Sequence, residues 1–398
     1  MTKLSDYAIL LIGFSFLFLL INKIAFGASL ILGIVILIFF NIEIIIKQSK
    51  IIFQKIGRYE VLITCFFLFF FLISAFLSIK PHRSFLVIIY LNLFMTLSLC
   101  IFLILLGNKK KAFFLFKIIS ISFAANALLI FIYNVSNYEF QELSKFKGFV
   151  NLMTIFAVAN FFLIKSKFNY ITMILLIPNI IMSGSSASIL GIFIGIFLCF
   201  IFFCLKKLQV LYKLKYFLLT ISVCIAIILS FLFYKNLPSK FNQNSITNFE
   251  FKIPTNLIDH HRQFIWGFSI QKFMLKPLFG YGQDSSNFID GSQVDIGSKY
   301  TGDMNFIPSH PHNFLIEILL ETGIFGTISF IFLIYIINAR VWKLHQSLKF
   351  KLHLIFLNSF FWGSSLVNFS FWLGWWQASY FLLLSLIASK AFIYKKEK

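Results

Sequence analysis

The sequence predicts an all-α, polytopic membrane protein with about 12 transmembrane helices and one large, partly helical loop outside the cytoplasm. Three observations predict this fold class. Of the 398 residues, 59% are hydrophobic and 12% are charged, and the mean hydropathy is +0.89. Apolar runs of about 20 residues, the length that crosses a bilayer as an α-helix, recur along most of the chain. One 78-residue segment, 235–312, is far more polar than its surroundings.

The apolar runs divide the chain into three parts: nine spans in residues 1–234, the polar loop 235–312, and three spans in residues 313–398. The seventh span is short and contains Pro178, so we expect it to be tilted, broken or re-entrant. The predicted spans are residues 4–21, 24–46, 59–79, 85–106, 113–133, 149–164, 170–183, 187–205, 216–234, 313–337, 352–368 and 372–391.

The positive charge is distributed unevenly and predicts the orientation of the spans. With both termini in the cytoplasm, 22 of the 35 Lys and Arg residues fall in inside segments and five in short outside turns. This asymmetry follows the positive-inside rule and places the loop 235–312 outside. The net charge of +21 therefore reflects topology and attraction to anionic membrane lipid, and we expect no nucleic-acid partner.

Within the polar loop, residues 256–276 (NLIDHHRQFIWGFSIQKFMLK) are predicted to form a helix with Asn256 as its N-cap. Pro277 ends this helix, and PLFGYG, residues 277–282, forms a turn. We expect the helix to lie in the membrane interface, although an ordinary amphipathic helix with a solvated basic face fits equally well. The predicted polar face holds Arg262, Ser269, Lys272 and Lys276, and the opposite face holds Phe264, Phe268 and Leu275.

The stretch HPHN at residues 310–313 stands where the chain leaves the polar loop and enters the tenth span. Pro311 suits the first turn of a helix, which would put His310 at the cap and His312 just inside. The free N–H groups of that helix terminus would form an anion site at the outer surface. A neutral imidazole at this position can accept a proton from a hydroxyl group near neutral pH.

Two carboxylates, Glu317 and Glu321, lie four residues apart on one face of the same predicted helix. Because carboxylates inside a membrane are costly, we expect them to face the protein interior and to position the helix or His312. Gly323 and Gly326 allow a bend or close helix packing.

Other interpretations of these residues are open. The histidines could be ordinary interfacial side chains, and Glu317 and Glu321 could bind buried Lys, Ser or Asn. A metal site built from the four loop histidines lacks a nearby carboxylate, so no metal site is predicted. Of the four arginines, Arg83 and Arg262 face outward, and a guanidinium grips phosphate with two prongs as an ammonium cannot. The four loop histidines are His260, His261, His310 and His312.

The stretch HPHNFLIEILLETGIFG, residues 310–326, resembles the signature of the O-antigen ligase and O-antigen polymerase superfamily. The run RQFIW at 262–266, followed by KPLFGYG at 276–282, is similar to the outside-loop motif of that family. The order of spans, with one large outer loop before the third-last helix, also matches. The motifs cover roughly residues 255–330, and the rest of the chain resembles the family in layout.

The resemblance implies a GT-C-like helical fold and a glycosyltransferase of the bacterial inner (plasma) membrane that uses no metal or other cofactor. Its donor would be a glycan on undecaprenyl pyrophosphate. Its acceptor would be a sugar hydroxyl, on lipid A core for a ligase or on another lipid-linked glycan for a polymerase. His312 matches the catalytic base of the family, and Arg262 matches an arginine that holds pyrophosphate.

Further residues are expected to contact substrate: His310, Asn313 and His261 for orientation or sugar contact. Family members often carry an arginine before the span predicted here as the eighth, whereas this sequence has SGSSASILG at 183–191, with Ser186 near that position. A second phosphate contact would then come from Arg83 or Lys272. A transporter or flippase of lipid-linked glycans is the alternative from another class, and it would bind substrate near the bilayer midplane.

Overall fold

The computed structural model describes residues 2–54, 56–137, 145–207, 230, 232–238, 251–296 and 304–396, and these residues form an all-α protein. The predicted fold class is confirmed. In the described part of the chain, β structure is limited to one isolated bridge between Asp295 and Asn305. The helices are α1 (Thr2–Phe18), α2 (Lys23–Phe39), α3 (Ile42–Phe53), α4 (Arg58–Phe76), α5 (Pro81–Gly107), α6 (Lys109–Ser136), α7 (Lys147–Leu163), α8 (Lys167–Met182), α9 (Ser186–Lys207), α10 (His260–Leu275), α11 (Phe314–Trp342), α12 (Leu348–Ser365) and α13 (Gly374–Lys396), with a 3₁₀ turn at Ser286–Phe288.

The helices outside the polar loop pack into one bundle with a shared apolar core. In this bundle α1 packs on α2 and α6, α4 on α11, α5 on α13, and α9 on α12. Trp376 and Tyr380 are among the largest fully buried side chains of the core, while many Phe, Leu and Ile side chains on the outside of the bundle are exposed. Such an apolar exterior is what a lipid-facing surface requires, so the chain is a multi-pass membrane protein.

Six described helices are long and apolar enough to cross a membrane, or seven if α2 and α3 count as one bent span. The predicted number of twelve spans is therefore not confirmed. Most of the predicted ninth span, 216–234, lies outside the described residues. The seventh predicted span is a continuous helix, α8, with Pro178 inside it.

The span predicted over residues 24–46 is not one continuous helix, because the chain bends by 85° between α2 and α3. The buried Asn41 stands at the bend. Its amide nitrogen donates to the Leu37 carbonyl at 2.7 Å and to Ser5 Oγ at 3.3 Å, and its oxygen accepts from Lys111 Nζ at 2.6 Å. The Asn41 amide thereby satisfies the Leu37 carbonyl, a backbone group at the break in the helix.

The helix of the polar loop, α10, begins later than predicted, with Asp259 rather than Asn256 as its N-cap. The Asp259 carboxylate accepts a hydrogen bond from the Arg262 N–H at 2.8 Å, which satisfies one of the free donors of the first turn. The helix ends before Pro277, as predicted. The predicted two faces are wrong in part, since Ser269 is fully buried and Leu275 is exposed.

The reason is that α10 is surrounded by the rest of the loop. The described parts of the loop form a small core of their own, centred on the aromatic residues Phe264, Trp266, Phe268 and Phe306. Burial on all sides of the middle of α10 leaves no continuous solvated basic face there.

The turn 277–282 docks into a break in α11. Gly323 has φ 67° and ψ −172°, which interrupts the helix, so a break occurs at one of the two glycines that allow a bend or close packing. The Ile324 N–H donates to the Pro277 carbonyl at 2.9 Å, and the Gly282 N–H donates to the Glu321 carbonyl at 2.7 Å. A Cβ atom on Gly323 would lie 2.3 Å from the Leu278 carbonyl, so only glycine fits this contact. The two motifs recognised in the sequence therefore meet in space.

Candidate active site

The stretch 310–313 precedes α11 instead of forming its first turn, so the predicted placement of Pro311 and His312 inside the helix is wrong. Asn313 is the N-cap, and its side-chain oxygen accepts from the N–H groups of Leu315 at 3.1 Å and Ile316 at 3.2 Å. His312 has φ 56°, a left-handed conformation that cannot continue a right-handed helix. Because Asn313 uses two of the N–H groups of the first turn, this helix terminus offers less to an anion than predicted.

His312 is held by the loop between α12 and α13, residues 366–373, called loop 366–373 below. Its Nδ1 lies 3.0 Å from the Asn368 carbonyl oxygen, which can only accept, so Nδ1 carries the proton. Burial lowers the pKa of His312, and the imidazole is therefore neutral near pH 7. In that tautomer Nε2 keeps its lone pair, as a general base requires.

His310 binds the same carbonyl but has both ring nitrogens occupied. Its Nε2 lies 3.3 Å from the Asn368 oxygen, and its Nδ1 lies 2.9 Å from Ser309 Oγ. The rings of His310 and His312 are 4.1 Å apart between centroids. Burial, with the neighbouring His312 as a second cause, lowers the pKa of His310 to about 4. His310 is thus a neutral neighbour that supports the position of His312.

Arg262 binds the carbonyl group of loop 366–373 that immediately precedes the one bound by His312. Its Nη2 donates to the Val367 carbonyl at 3.2 Å, and its Nη1 lies 3.2 Å from the Asp259 carboxylate. About a third of the Arg262 side chain is exposed (34%). Arg262 on α10 and His312 before α11 therefore converge on adjacent carbonyl groups of one loop.

Glu317 anchors loop 366–373 by hydrogen bonds to two of its residues. Its carboxylate, buried in α11, accepts from Ser370 Oγ at 2.5 Å and from the Phe371 N–H at 2.7 Å. These two residues follow Asn368 closely in the chain, so Glu317 sets the position of the carbonyl that binds His312.

Glu321, one turn further, joins loop 366–373 to the turn after α10. Trp372 Nε1 donates to its carboxylate. The N–H groups of Asp284 at 2.6 Å, Ser285 at 3.1 Å and Ser286 at 2.9 Å donate to it as well. Both glutamates therefore bind backbone and side-chain donors within the protein.

Comparison with known proteins finds similarity to one family. The O-antigen ligase family model matches residues 171–331, which include α10, the turn 277–282 and the first half of α11. The chain is 35% identical over 124 residues to a Rickettsia conorii protein named "Putative polysaccharide ligase", covering 30% of this chain and 29% of that protein. A Rickettsia prowazekii protein of the same description is 32% identical over 136 residues, covering 32% and 31%. Residues 171–331 are therefore similar to the O-antigen ligase family, and about a third of the chain is similar to proteins named polysaccharide ligase.

The matched part spans less than a third of those relatives, between 29% and 31% of their length in the two cases. Residues 171–331, which the family model matches, contain both motifs that carry the resemblance in the sequence, and they include Arg262 and His312.

The other predicted site residues are arranged differently around this centre. Asn313 serves as the cap of α11. His261, in the first turn of α10, has its Nε2 3.1 Å from the Asn305 carbonyl of the polar loop. Lys272 lies ten residues along α10 from Arg262, a rise of about 15 Å, with its Nζ 5.2 Å from the ring of Phe268. In the described contacts Lys272 does not meet the histidine pair.

Arg83 lies at the N-terminal end of α5 and pairs with Asp284, whose carboxylate is 2.8 Å from Nη2. Among the described contacts, Arg83 is linked to loop 366–373 through Asp284, whose N–H donates to Glu321, and through Glu321, which accepts from Trp372. Ser186, where the family often has arginine, is the first residue of α9. Beside it, Ser188 Oγ contacts Ser185 Oγ at 2.8 Å and donates to Asn151 at 2.9 Å, and Lys147 Nζ lies 4.0 Å from the Cβ position of Gly184.

Sequence reasoning missed the residues that bind the site together. Val367 and Asn368 act through backbone carbonyls, which leave no side-chain signature in a sequence. Asp259 could have been found, because an Asp before a helix that starts with charged residues is a common N-cap. Among the described residues, no group of three or more His, Cys, Asp and Glu is arranged to hold a metal ion.

Proposed function

We propose that this protein is a membrane glycosyltransferase of the O-antigen ligase type. In this proposal it moves a glycan from undecaprenyl pyrophosphate to a sugar hydroxyl on lipid A core, at the periplasmic face of the bacterial inner membrane. The observation that carries the proposal is the convergence of His312 and Arg262 on adjacent carbonyls of loop 366–373. An imidazole base and a guanidinium at one site are the two groups that this transfer requires.

The proposed reaction is one displacement at the anomeric carbon. His312 Nε2 takes the proton of the acceptor hydroxyl as its oxygen forms a bond to the anomeric carbon. The bond between that carbon and the pyrophosphate oxygen breaks, and the electron pair leaves with the undecaprenyl pyrophosphate. The proton on His312 then passes to solvent or to the leaving group. A general base of this kind contributes typically 10²–10⁴-fold to a rate.

Arg262 is proposed to stabilise the negative charge of the leaving pyrophosphate. Its guanidinium has five N–H donors. In the described contacts Nη2 donates to the Val367 carbonyl and Nη1 faces the Asp259 carboxylate. The remaining donors can meet phosphate oxygens in a two-pronged geometry. In this proposal the fixed cation does the work for which other transferases use a metal ion.

The remaining site residues are proposed to support this pair. His310 orients His312 by sharing the Asn368 carbonyl, and His261 contacts sugar from the loop side. The amide nitrogen of Asn313 is its group for substrate, since its oxygen caps the helix. Glu317 and Glu321 position loop 366–373. Lys272 stands too far along α10 to join His312, and Arg83 belongs to the separate surface described below.

A polymerase that joins lipid-linked repeat units is the alternative, because it would use the same base and the same cation with another acceptor. A transporter of lipid-linked glycans would leave the glycosidic linkage unchanged. Both are outcomes of the experiment that follows.

The test is glycan transfer by the purified full chain in proteoliposomes, with lipid-linked glycan as donor and either lipid A core or a second lipid-linked glycan as acceptor. We expect transfer to lipid A core, and a loss of 10²-fold or more in His312→Ala and Arg262→Ala. Arg262→Lys keeps the charge and loses the fork, so it should recover only part of the activity.

His353→Ala is the matched control, because His353 is a partly buried histidine of α12 whose Nδ1 contacts the Lys349 carbonyl, away from the site. It should transfer at the native rate. Native transfer by His312→Ala at equal protein level would end the proposal. Product on lipid-linked glycan alone would assign the polymerase, and glycan movement without a new linkage would assign the transporter.

A further inference from the structure

The turn between α4 and α5 presents two exposed cations that converge on one aromatic ring. Lys80 Nζ lies 5.0 Å and Arg83 Cζ lies 4.8 Å from the centroid of the Phe288 ring. Asp284 is bonded to Arg83 through both Nε, at 3.0 Å, and Nη2, at 2.8 Å. Two cations against one carboxylate leave a local charge of one positive unit at this surface.

This surface is rigidly built. Ser84 Oγ donates to the Gln283 carbonyl at 2.8 Å, and the Ile79 N–H donates to the Tyr281 carbonyl at 3.0 Å, so the turn is bonded to the segment that follows α10. Asp284 has φ 54°, a left-handed conformation that its N–H bond to Glu321 helps to hold. His312 is the other non-glycine residue with positive φ in the described chain, and backbone strain of this kind concentrates at functional positions.

Arg83 is held by one edge only. Its Nε and Nη2 face Asp284, so Nη1 and the second Nη2 proton point to the other side of the guanidinium, in a side chain that is 44% exposed. Lys80 adds three donors on a flexible stem, with Phe288 beneath both side chains. Such a pair fits the oxygens of one phosphoryl group.

Exposed apolar residues adjoin the cations. Phe76 and Leu77 end α4, and Leu86 lies one turn into α5, all three with large exposed fractions. This end of α4 is the end near Glu321, since Ser74 Oγ donates to the Glu321 carbonyl at 3.0 Å. A cation pair bordered by an apolar bundle surface is suited to a headgroup with hydrocarbon chains rather than to a free ion.

We propose that Lys80, Arg83 and Phe288 form a binding site for an anionic phospholipid, whose phosphodiester lies between the two cations and whose acyl chains lie along Phe76, Leu77 and Leu86. The single negative charge of a phosphodiester matches the single excess positive charge of the site. The site is separate from the proposed transfer centre, and it requires no glycan transfer to be detected.

The test measures phosphatidylglycerol bound to the purified full chain in detergent, by native mass spectrometry over a lipid titration. Diacylglycerol serves as the probe without a phosphate, and sodium phosphate as the probe without a tail. We expect phosphatidylglycerol to bind at least tenfold more tightly than either. Lys80→Gln should weaken phosphatidylglycerol binding by about tenfold, since it removes a charge-assisted contact. The double variant Lys80→Gln, Arg83→Gln removes two such contacts and should weaken binding further.

Two further variants separate the site from general effects. Asp284→Asn removes the competing carboxylate and keeps both cations, so it should bind phosphatidylglycerol at least as tightly as the native protein. Lys23→Gln is the matched control, because Lys23 also lies over an aromatic ring, 5.7 Å from that of Trp375, but without an arginine beside it. It should bind like the native protein.

Three results would overturn the assignment. Unchanged binding by the double variant would place the lipid elsewhere, and equal binding of sodium phosphate would exclude a lipid. Displacement of phosphatidylglycerol by farnesyl diphosphate at a tenth of its concentration would assign the surface to a polyprenyl diphosphate instead. The binding measurement involves no glycan transfer, so the two proposals fail or stand separately.

Discussion

His312 and Arg262 are 50 residues apart in sequence, yet they bind the adjacent carbonyl groups of Asn368 and Val367. One comes from the segment before α11 and the other from the first turn of α10. Arg262 is also near enough to His312 for its charge to be one of the causes, after burial, that lower the pKa of the imidazole.

Loop 366–373 is the part that couples these two residues to the bundle. Glu317 holds its middle, and Glu321 holds Trp372 together with the segment at Asp284. The same stretch of α11 accepts the turn 277–282 at Gly323. Any change that shifts loop 366–373 should therefore move the base and the cation together.

The first prediction follows from Glu317. Glu317→Gln replaces one carboxylate oxygen by an amide that cannot accept from Ser370 or Phe371, so one buried donor loses its partner at a cost of about 1–3 kcal/mol. We expect a lower melting temperature and a fall in transfer of tenfold or more, and we expect Glu317→Gln to add little further loss when it is combined with His312→Ala. Glu60→Gln, which breaks the ion pair with Arg340 at the other end of α11, is the control and should keep the native rate.

The second prediction concerns the break in α11. Gly323→Ala requires an L-residue at φ 67° and places Cβ 2.3 Å from the Leu278 carbonyl, so the turn 277–282 must move away. We expect a loss of stability well above the 0.5–1 kcal/mol by which alanine normally improves on a helical glycine. The measurement is thermal unfolding in detergent.

The matched control for this change is Gly27→Ala. Gly27 lies in α2 with nothing within 4 Å of an added Cβ, so alanine there should leave the melting temperature equal or higher. Equal melting temperatures for the two variants would show that the turn is not anchored at Gly323.

These details show what sequence could and could not predict. Apolar runs identified the helical bundle, because burial of the backbone in lipid leaves few other structures. They did not show where a run bends, because at Asn41 the bend depends on Ser5 and Lys111 from other helices. The ends of α10 and α11 also differed from prediction, since Asp259 and Asn313 accept the first N–H bonds in place of Asn256 and His310.

For the site, the unusual side chains were informative and the backbone was not. His312, Arg262, Glu317 and Glu321 stood out because charged and imidazole groups are rare in so apolar a chain. The carbonyls of Val367 and Asn368 lie some 50 residues further on, in a segment predicted as the end of a span. Only the packing of α12 and α13 brings them to His312, and local patterns contain no information on that packing.

The third prediction separates two roles of Asn313. Asn313→Ser keeps a capping oxygen and Asn313→Ala removes it, so alanine should cost about 1 kcal/mol of stability and serine much less. If the amide nitrogen also contacts substrate, both variants lose that contact. Both should then have a higher KM for donor or acceptor than the native protein. Equal KM values in all three proteins would leave Asn313 as a cap only.

The fourth prediction concerns pH and stability through His310. Its pKa is about 4 in the folded protein and near 6.5 when unfolded, so the unfolded chain binds the proton more readily. Stability from this group is complete above pH 6.5 and is lost as the pH falls towards 4. We expect the melting temperature of native protein to drop over that window, and His310→Gln to show a shallower drop. A parallel profile in the two proteins would contradict the assignment to His310.

The fifth prediction concerns pH and rate through His312. Burial lowers the pKa of its imidazole below the usual 6.5, and only the neutral form can take a proton at Nε2. Transfer should therefore be independent of pH above about 7 and fall by up to tenfold per unit once the pH drops below the lowered pKa. Initial rates from pH 4.5 to 8 measure this, with the melting temperature recorded at each pH so that loss of folded protein is separated from protonation of the base. In His310→Gln the pH range over which folded protein is lost should shift, while the fall in rate caused by protonation of His312 should stay below pH 6.5. A rate that rises as the pH falls would be incompatible with His312 as the base.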